Sequence, residues 1–367
     1  MDRANYELAW HLAEEAEAEV SLVAYSVAEP LASLPRVSWK RVPKPLNSYS
    51  LGARRLASYA KSEARRIQKH GGYVVVTGGN CPWPGINWVH AVQASWKPRL
   101  EHAPHHIRMR QHISRSRALR QEKSALAMAT TIVANSERTR EDLIRNFALP
   151  PERIRTIYLG VDPQVFRPAN RNEIQASRSH LGWLPDALTA VFVGALGHDR
   201  NKGFDLLFEA WRQLCTDPVW DVDLVAAGAG AEVTYWRKQA EKTGLAGRVR
   251  MIGFTGNIPE LLRAADLLVQ PSFYEAYGLS VHEALCCGVP ALVTKSAGVA
   301  ERYPASLSNL LLDSPPSVEN LIGRLRHWRS SMKHYQAATQ VFSEKLRQRT
   351  WSDMAREFVE TLELETI

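Results

Sequence analysis

Two glutamates, Glu275 and Glu283, are separated by seven residues in the run Pro271-Ser-Phe-Tyr-Glu-Ala-Tyr-Gly-Leu-Ser-Val-His-Glu-Ala-Leu, which continues into Cys287-Gly-Val-Pro290. The pattern puts Glu275 in a strand-to-helix turn and Glu283 about one turn into the helix. Backbone amides at such a helix start make an anion site, and Gly278 lets a phosphate approach closely. A carboxylate one turn in can accept hydrogen bonds from a pair of vicinal hydroxyls. Together these features describe a pocket for a sugar nucleotide, against the alternative of two surface glutamates on an ordinary helix.

The same residues resemble the signature of the retaining GT-B glycosyltransferases of group 1. That signature is P-S-x-x-E-x-x-G-L-x-x-x-E-A-x-x-x-G-x-P, and every fixed position is present here. The resemblance implies that Glu275 touches hydroxyls of the donor sugar and Glu283 the ribose, with Gly278, Leu279 and Ser280 at the diphosphate. Val191-Phe-Val-Gly-Ala-Leu-Gly-His-Asp-Arg-Asn-Lys-Gly-Phe-Asp-Leu-Leu resembles the family's first strand, loop and helix of the nucleotide domain, with Gly194 beside the donor. A departing diphosphate gathers negative charge, and Arg200 and Lys202 ahead of the helix N-terminus supply the opposite sign. Many members carry an arginine directly after the strand glycine, where this chain has Ala195. An ordinary solvent-exposed lysine at a helix start remains the alternative for Lys202.

Ser136-Glu-Arg-Thr-Arg and Pro151-Glu-Arg-Ile-Arg-Thr-Ile-Tyr-Leu-Gly-Val-Asp-Pro-Gln-Val-Phe are similar to the family's passage from the last N-terminal strand to the linker. Gly253 to Leu261 is similar to the loop that cups the base by its main chain. In Asn87-Trp-Val-His90 the histidine resembles the N-domain residue that reaches the donor sugar, with a satisfied core histidine as the alternative. The implied reaction moves a hexosyl group from a nucleotide diphosphate sugar to an acceptor hydroxyl in glycan, glycolipid or lipopolysaccharide assembly. It is expected to proceed with retention and without metal or other cofactor. No side chain is an obvious nucleophile for double displacement, so front-face attack with the leaving phosphate as base is the expectation. A non-catalytic sugar-nucleotide or glycan-binding component of an assembly complex is the competing reading.

Three motifs invite other chemistry and are set aside. Asp221-Val-Asp223 has the form of a manganese-holding D-x-D but opens an apolar strand. Gly228-Ala-Gly230 follows a strand as a dinucleotide fingerprint would, yet position 233 is Val. His102, His105, His106 and His112 lack partners at metal-ligand spacing.

These side chains need a scaffold, and 367 residues suit two domains better than one. Short apolar strands alternating with helices imply an α/β protein of two Rossmann-like doubly wound domains facing a cleft. The expected strands are 20–24, 73–76, 131–134, 190–193, 222–227, 249–252, 267–270 and 291–294. Helices are expected over 4–18, 204–214, 232–243, 259–265 and 280–287, and a helical tail over 318–364. Gly160, Pro163, Pro168 and Pro185 mark a linker near 160–187. The N-terminal, acceptor-side domain is assigned to 1–165, with a helix at about 350–367 packing back on it, and the nucleotide-sugar domain to 166–349. Family members begin with a strand and a glycine-rich loop ahead of a helix like Ala4 to Leu12, so the first domain is expected to lack its usual first strand.

The chain carries a net charge of +8, yet residues 1–160 hold 24 Lys and Arg against 14 Asp and Glu, leaving 22 against 24 for the rest. Arg54, Arg55, Lys61, Arg65, Arg66 and Lys69 form one basic cluster, and Arg108, Arg110, Arg115, Arg117, Arg120 and Lys123 another. Such a face attracts an anionic membrane or a phosphorylated or lipid-linked acceptor, with a merely solvated face as the alternative. Nucleic acid is not expected, because Tyr59 is the only aromatic within 54–69. No stretch approaches the roughly eighteen apolar residues of a membrane span. The start does not read as a signal peptide, and four irregularly spaced cysteines suggest neither a disulfide framework nor a zinc site. A cytoplasmic protein, associated with the inner face of the membrane, is the resulting expectation.

Overall fold

The computed structural model describes residues 2–45 and 49–363; Met1, and Leu364 with the three positions after it, lie outside the described residues. The chain forms two compact units. Unit 1 runs to Trp96 and takes His105–Gly160 and the chain from Arg349 onward, while unit 2 comprises Lys97–Pro104 and Val161–Gln348. Residues 97–104, which the sequence reading kept with the first half, therefore pack as part of unit 2.

Unit 1 contains α1 (Asp2–Glu14), β1 (Val20–Ala24), α2 (Glu29–Ala32), β2 (Val37–Arg41), α3 (Tyr49–Lys69), β3 (Val75–Thr77) and β4 (Ile86–Val89). It continues with α4 (His105–Met128), β5 (Thr131–Ala134), α5 (Glu137–Phe147) and β6 (Ile154–Thr156). Helix α1 buries Leu8, Ala9 and Ala13 and stops at Glu14, short of the expected residue 18, and the chain turns at Glu17 with φ of 52°. All strand pairs are parallel, but they form two pieces, β1-β2 and β3-β4-β5-β6. Among the described residues no strand joins β1 to β3. Ser136 starts α5 by accepting the Thr139 N–H at 3.0 Å, because its hydroxyl satisfies a first-turn amide that no carbonyl can reach.

Unit 2 opens with α6 (Arg171–His180), inside the span expected to be linker. A capping box explains it: Asn170 accepts the Glu173 N–H at 3.0 Å while Glu173 accepts the Asn170 N–H at 2.8 Å. Buried Arg178 then ties α6 down, donating to Asp266 at 2.8 Å and to the carbonyls of Ala264, Pro185 and Ala187.

The alternation follows as β7 (Leu188–Val193), α7 (Phe204–Leu214), β8 (Val222–Ala227), α8 (Val233–Lys242), β9 (Val249–Gly253) and α9 (Ile258–Ala264). Next come β10 (Leu267–Gln270), α10 (Leu279–Cys286), β11 (Ala291–Thr294), β12 (Leu311–Leu312), α11 (Val318–Ser330) and α12 (Met332–Arg347). The sheet is parallel throughout, in the order β12-β11-β10-β7-β8-β9. Its central strands are almost wholly apolar because helices cover both faces.

Strand β7 lies between β8 and β10, so successive crossovers leave it in opposite directions. The loops at the carboxyl ends of β7 and β10 thus diverge, and such a switch point is where open α/β sheets bind ligands.

The chain then returns to unit 1 as α13 (Trp351–Glu363). This helix packs on α1, with Ser352 donating to Glu15 at 2.8 Å and the Phe358 ring 4.7 Å from that of Trp88.

Candidate functional site

The two loops of the switch point bring most of the sequence-predicted residues together. The loop after β7 carries Lys202, whose ammonium pairs with the Glu275 carboxylate from the loop after β10. A side chain at Gly194 would lie 3.4 Å from Cγ of Lys202, and one at Gly278 would lie 3.3 Å from Cγ of Glu275. Gly194, Lys202, Glu275 and Gly278 are therefore neighbours in space, although up to 84 positions apart in the chain.

Two glycines fix the helix starts. Gly203 precedes α7 with φ of 69°, and a Cβ there would sit 2.1 Å from the Pro271 carbonyl oxygen. Gly278 precedes α10 with φ of 105°. Both are left-handed conformations that glycine adopts at no steric cost. Neither helix start has a side-chain cap, so Leu279 and Ser280 present their first-turn backbone at the end of the helix that favours anions.

Gln270, which the sequence reading passed over, connects the parts. Its amide N–H donates to Glu275 Oε2 at 3.4 Å, and its oxygen accepts from the Ser280 hydroxyl at 2.7 Å. It is 1% exposed and is the only polar residue of β10, and that was the signal available. Asn201 joins the same loops, donating to the Tyr274 carbonyl at 2.9 Å and accepting the Phe273 N–H at 2.8 Å. Behind them, Tyr277 and His282 share a buried hydrogen bond of 2.8 Å. Glu283 is half-buried one turn into α10.

Arg200 takes a different position from the one expected. Its guanidinium donates to Glu232 at 3.0 and 3.3 Å and lies 5.2 Å from the Trp236 ring centroid. The residue itself has φ of 45°, so the pair holds a turn that L residues rarely adopt. Its charge is thus shared with a carboxylate of 5% exposure. Asp199, in the same loop, has its carboxyl pushed above the ordinary range by burial.

His90 directly follows β4 in unit 1. It is 8% exposed, its ring stands 4.4 Å from that of Trp88, and neither ring nitrogen has a hydrogen-bond partner among the described residues. Burial lowers its pKa to about 3, which keeps the imidazole neutral. The segment after it is held by Glu122 of α4, which accepts the N–H groups of Gln93 at 2.8 Å and Ala94 at 3.2 Å. Burial raises the Glu122 pKa to about 7 despite those two donors.

Asp221 and Asp223 are engaged by Arg329 and Arg248, at 2.6 to 2.7 Å. Among the described residues no group of three His, Cys, Asp or Glu is placed to hold a metal ion. All four cysteines are unpaired thiols, and no described helix is long and apolar enough to cross a membrane.

The two parallel α/β units have the fold of the GT-B glycosyltransferases. Comparison with solved structures agrees. WaaG, a glycosyltransferase involved in lipopolysaccharide biosynthesis, superposes with a TM-score of 0.75 at 18% identity, covering 98% of this chain and 95% of that one. HepE of Anabaena, in complex with UDP-glucose, gives 0.71 at 19% identity over 99% and 95%. The family model for glycosyl transferases group 1 matches residues 173–341, and that for glycosyltransferase family 4 matches residues 1–165. Residues 173–341 thus form a group 1 glycosyltransferase domain, preceded by a glycosyltransferase family 4 domain. Among curated proteins, D-inositol 3-phosphate glycosyltransferase 2 of Catenulispora acidiphila is 31% identical over 201 residues, which is 52% of this chain and 46% of that protein. The chain spans about half the length of the first curated relatives it matches.

Proposed function

We propose that this protein transfers a hexosyl group from a nucleoside diphosphate sugar to an acceptor hydroxyl, with retention at the anomeric carbon and without a bound metal. The observation that carries this reading is the Lys202–Glu275 pair at the sheet's switch point. An ammonium suits a departing diphosphate and a carboxylate suits sugar hydroxyls, so the two groups match the two ends of one donor. Gly194, Gly278 and the backbone of Leu279 and Ser280 receive the diphosphate, and Glu283 the ribose. Gln270 orients Glu275 and Ser280. Arg200, through Glu232, anchors the loop that bears Lys202. His90, neutral and without a hydrogen-bond partner among the described residues, is suited to a sugar hydroxyl. HepE, whose structure holds UDP-glucose, supports a nucleotide-sugar donor.

The acceptor is a glycan or a lipid-linked, anionic molecule. The excess of basic residues in 1–160 supports this, as does the inositol 3-phosphate named for the curated relatives. On α4, Met109 and Ile113 are 53% and 48% exposed, one turn apart and flanked by exposed Arg108, Arg110 and Arg117. This combination suits the inner, anionic face of a membrane, from which a lipid-linked acceptor would be taken.

The test is a panel of nucleotide sugars, read by thermal shift and by release of nucleoside diphosphate with and without acceptor, with the product's anomeric configuration read by NMR. A stabilising donor, its turnover and a retained configuration are expected. Binding without any release would leave a non-catalytic sugar-nucleotide module in its place, and no binding across the panel would remove the donor reading.

A further inference from the structure

Arg99 lies in the short segment Lys97–Pro104 that packs in unit 2 although its chain neighbours on both sides belong to unit 1. It makes three attachments there. Its backbone N–H donates to the Asp199 carbonyl at 3.0 Å. Its Nη1 reaches both carboxylate oxygens of Asp205, at 3.1 and 2.9 Å. Its guanidinium carbon stands 4.0 Å from the centroid of the Phe273 ring, close enough for a cation–π contact.

These attachments bracket the proposed donor groups. Asp199 precedes Lys202 by three residues and Asp205 follows it by three, in the first turn of α7. Phe273 precedes Glu275 by two, and its own N–H is already bonded to Asn201, the neighbour of Lys202. One side chain thus spans the loop after β7, the start of α7 and the loop after β10. The Asp205 side chain is only 12% exposed, so the ion pair is shielded enough from water to matter. Without Arg99, a nearly buried carboxylate three residues from Lys202 would lose its ion-pair partner, and its charge would oppose the diphosphate.

We infer that Arg99 is a positioning residue: it sets the spacing between Lys202 and Glu275 and neutralises Asp205, and so tunes diphosphate affinity without touching the donor. The inference rests on the donor reading above and deepens it.

The test uses the whole chain. UDP, GDP and ADP are titrated calorimetrically, and the tightest of them is compared with its monophosphate for wild type, Arg99→Ala, Arg99→Lys, Asp205→Asn and Arg99→Ala/Asp205→Asn. Losing one charge-assisted contact in such a setting costs about tenfold in affinity. Arg99→Ala should weaken the diphosphate by about that factor and the monophosphate far less, and Arg99→Lys should restore part of the loss because it keeps the charge. The double variant should bind no worse than Arg99→Ala, since Asp205 acts through the same pair. Arg99→Ala within twofold of wild type, equal losses for both nucleotides, or fully additive losses would each overturn the inference. A wild type that binds none of the three diphosphates would instead remove the donor reading itself, and this inference with it.

Discussion

Lys202 and Glu275 belong to loops that leave neighbouring parallel strands in opposite directions, yet their side chains meet as an ion pair. Each is only partly exposed, at 27% and 15% of the side chain. Their meeting depends on Gly203, Gly278 and Asn201 folding the two loops toward each other. Lys202→Ala and Glu275→Ala are expected to cut transfer by about 10²-fold or more. Circular dichroism and the melting temperature of unliganded protein should stay near wild type. Either variant retaining full turnover of the donor would detach that residue from the chemistry.

Gln270→Leu keeps β10 apolar but deletes both hydrogen bonds that orient Glu275 and Ser280. Losing a buried polar bridge of this kind is expected to lower kcat/KM by about tenfold, with little change in stability because no polar partner is sealed in a dry core. Steady-state kinetics with saturating acceptor would reveal it. An unaltered kcat/KM would mean that the carboxylate holds its place unaided.

Gly203→Ala forces a Cβ into the Pro271 carbonyl and demands a left-handed conformation of an alanine. Strain of this type costs about 1–3 kcal/mol. The backbone must open between the two loops, so urea unfolding should show the loss, and donor affinity should fall with it. Gly256→Ala, where a Cβ would meet nothing within 4 Å, is the control expected to do neither.

Glu122 titrates at about 7 in the folded chain against an ordinary value of 4.5. The folded state therefore binds the extra proton across that window. Stability from this group is complete below about 4.5 and is lost as pH rises through about 7. At 1.36 kcal/mol for each pKa unit, the swing is of the order of 3 kcal/mol. Glu122→Gln is expected to flatten the pH dependence of unfolding between pH 5 and 8, as followed by urea titration at several pH values. An unchanged slope would place the Glu122 pKa near its ordinary range.

Replacing Arg108 and Arg110 of α4 with glutamate reverses two charges beside Met109 and Ile113. Each basic residue near an anionic bilayer is worth about 1 kcal/mol. Co-sedimentation with vesicles containing acidic lipid should drop to the level seen with neutral vesicles. Wild type sedimenting equally with both vesicle types would refute a charge-led attachment.

Much of unit 2 was legible from residues because its strands are buried on both faces and so read as largely apolar runs. β8, β10 and β11 span the residues expected of them. β2 was not seen, since Val37-Ser-Trp-Lys-Arg41 has only two half-buried residues, and the alternation drowns in its charges. α6 was hidden by the prolines around it, and only the Asn170–Glu173 reciprocal cap betrays it. In the site, the glutamate and glycine spacing gave the turn and helix directly, because those contacts are local. The direction of Arg200 was not legible. Glu232 lies 32 positions away and Lys202 only two, and nothing in composition says which way the guanidinium will turn. Arg99 and Gln270 escaped for the same reason, each acting through partners that only the folded chain brings near.

The separation of β1-β2 from β3-β4-β5-β6 leaves β1 and β3 as strand borders with unclaimed ladder positions, and Tyr73 and Val75 are 45% and 36% exposed beside one of them. A parallel border of that kind templates foreign strands as readily as its own. Heating or concentrating the protein should therefore cause loss by self-association that starts in unit 1 rather than at the continuous six-stranded sheet of unit 2. Storage conditions and solubility tags are best chosen with that weak margin in view.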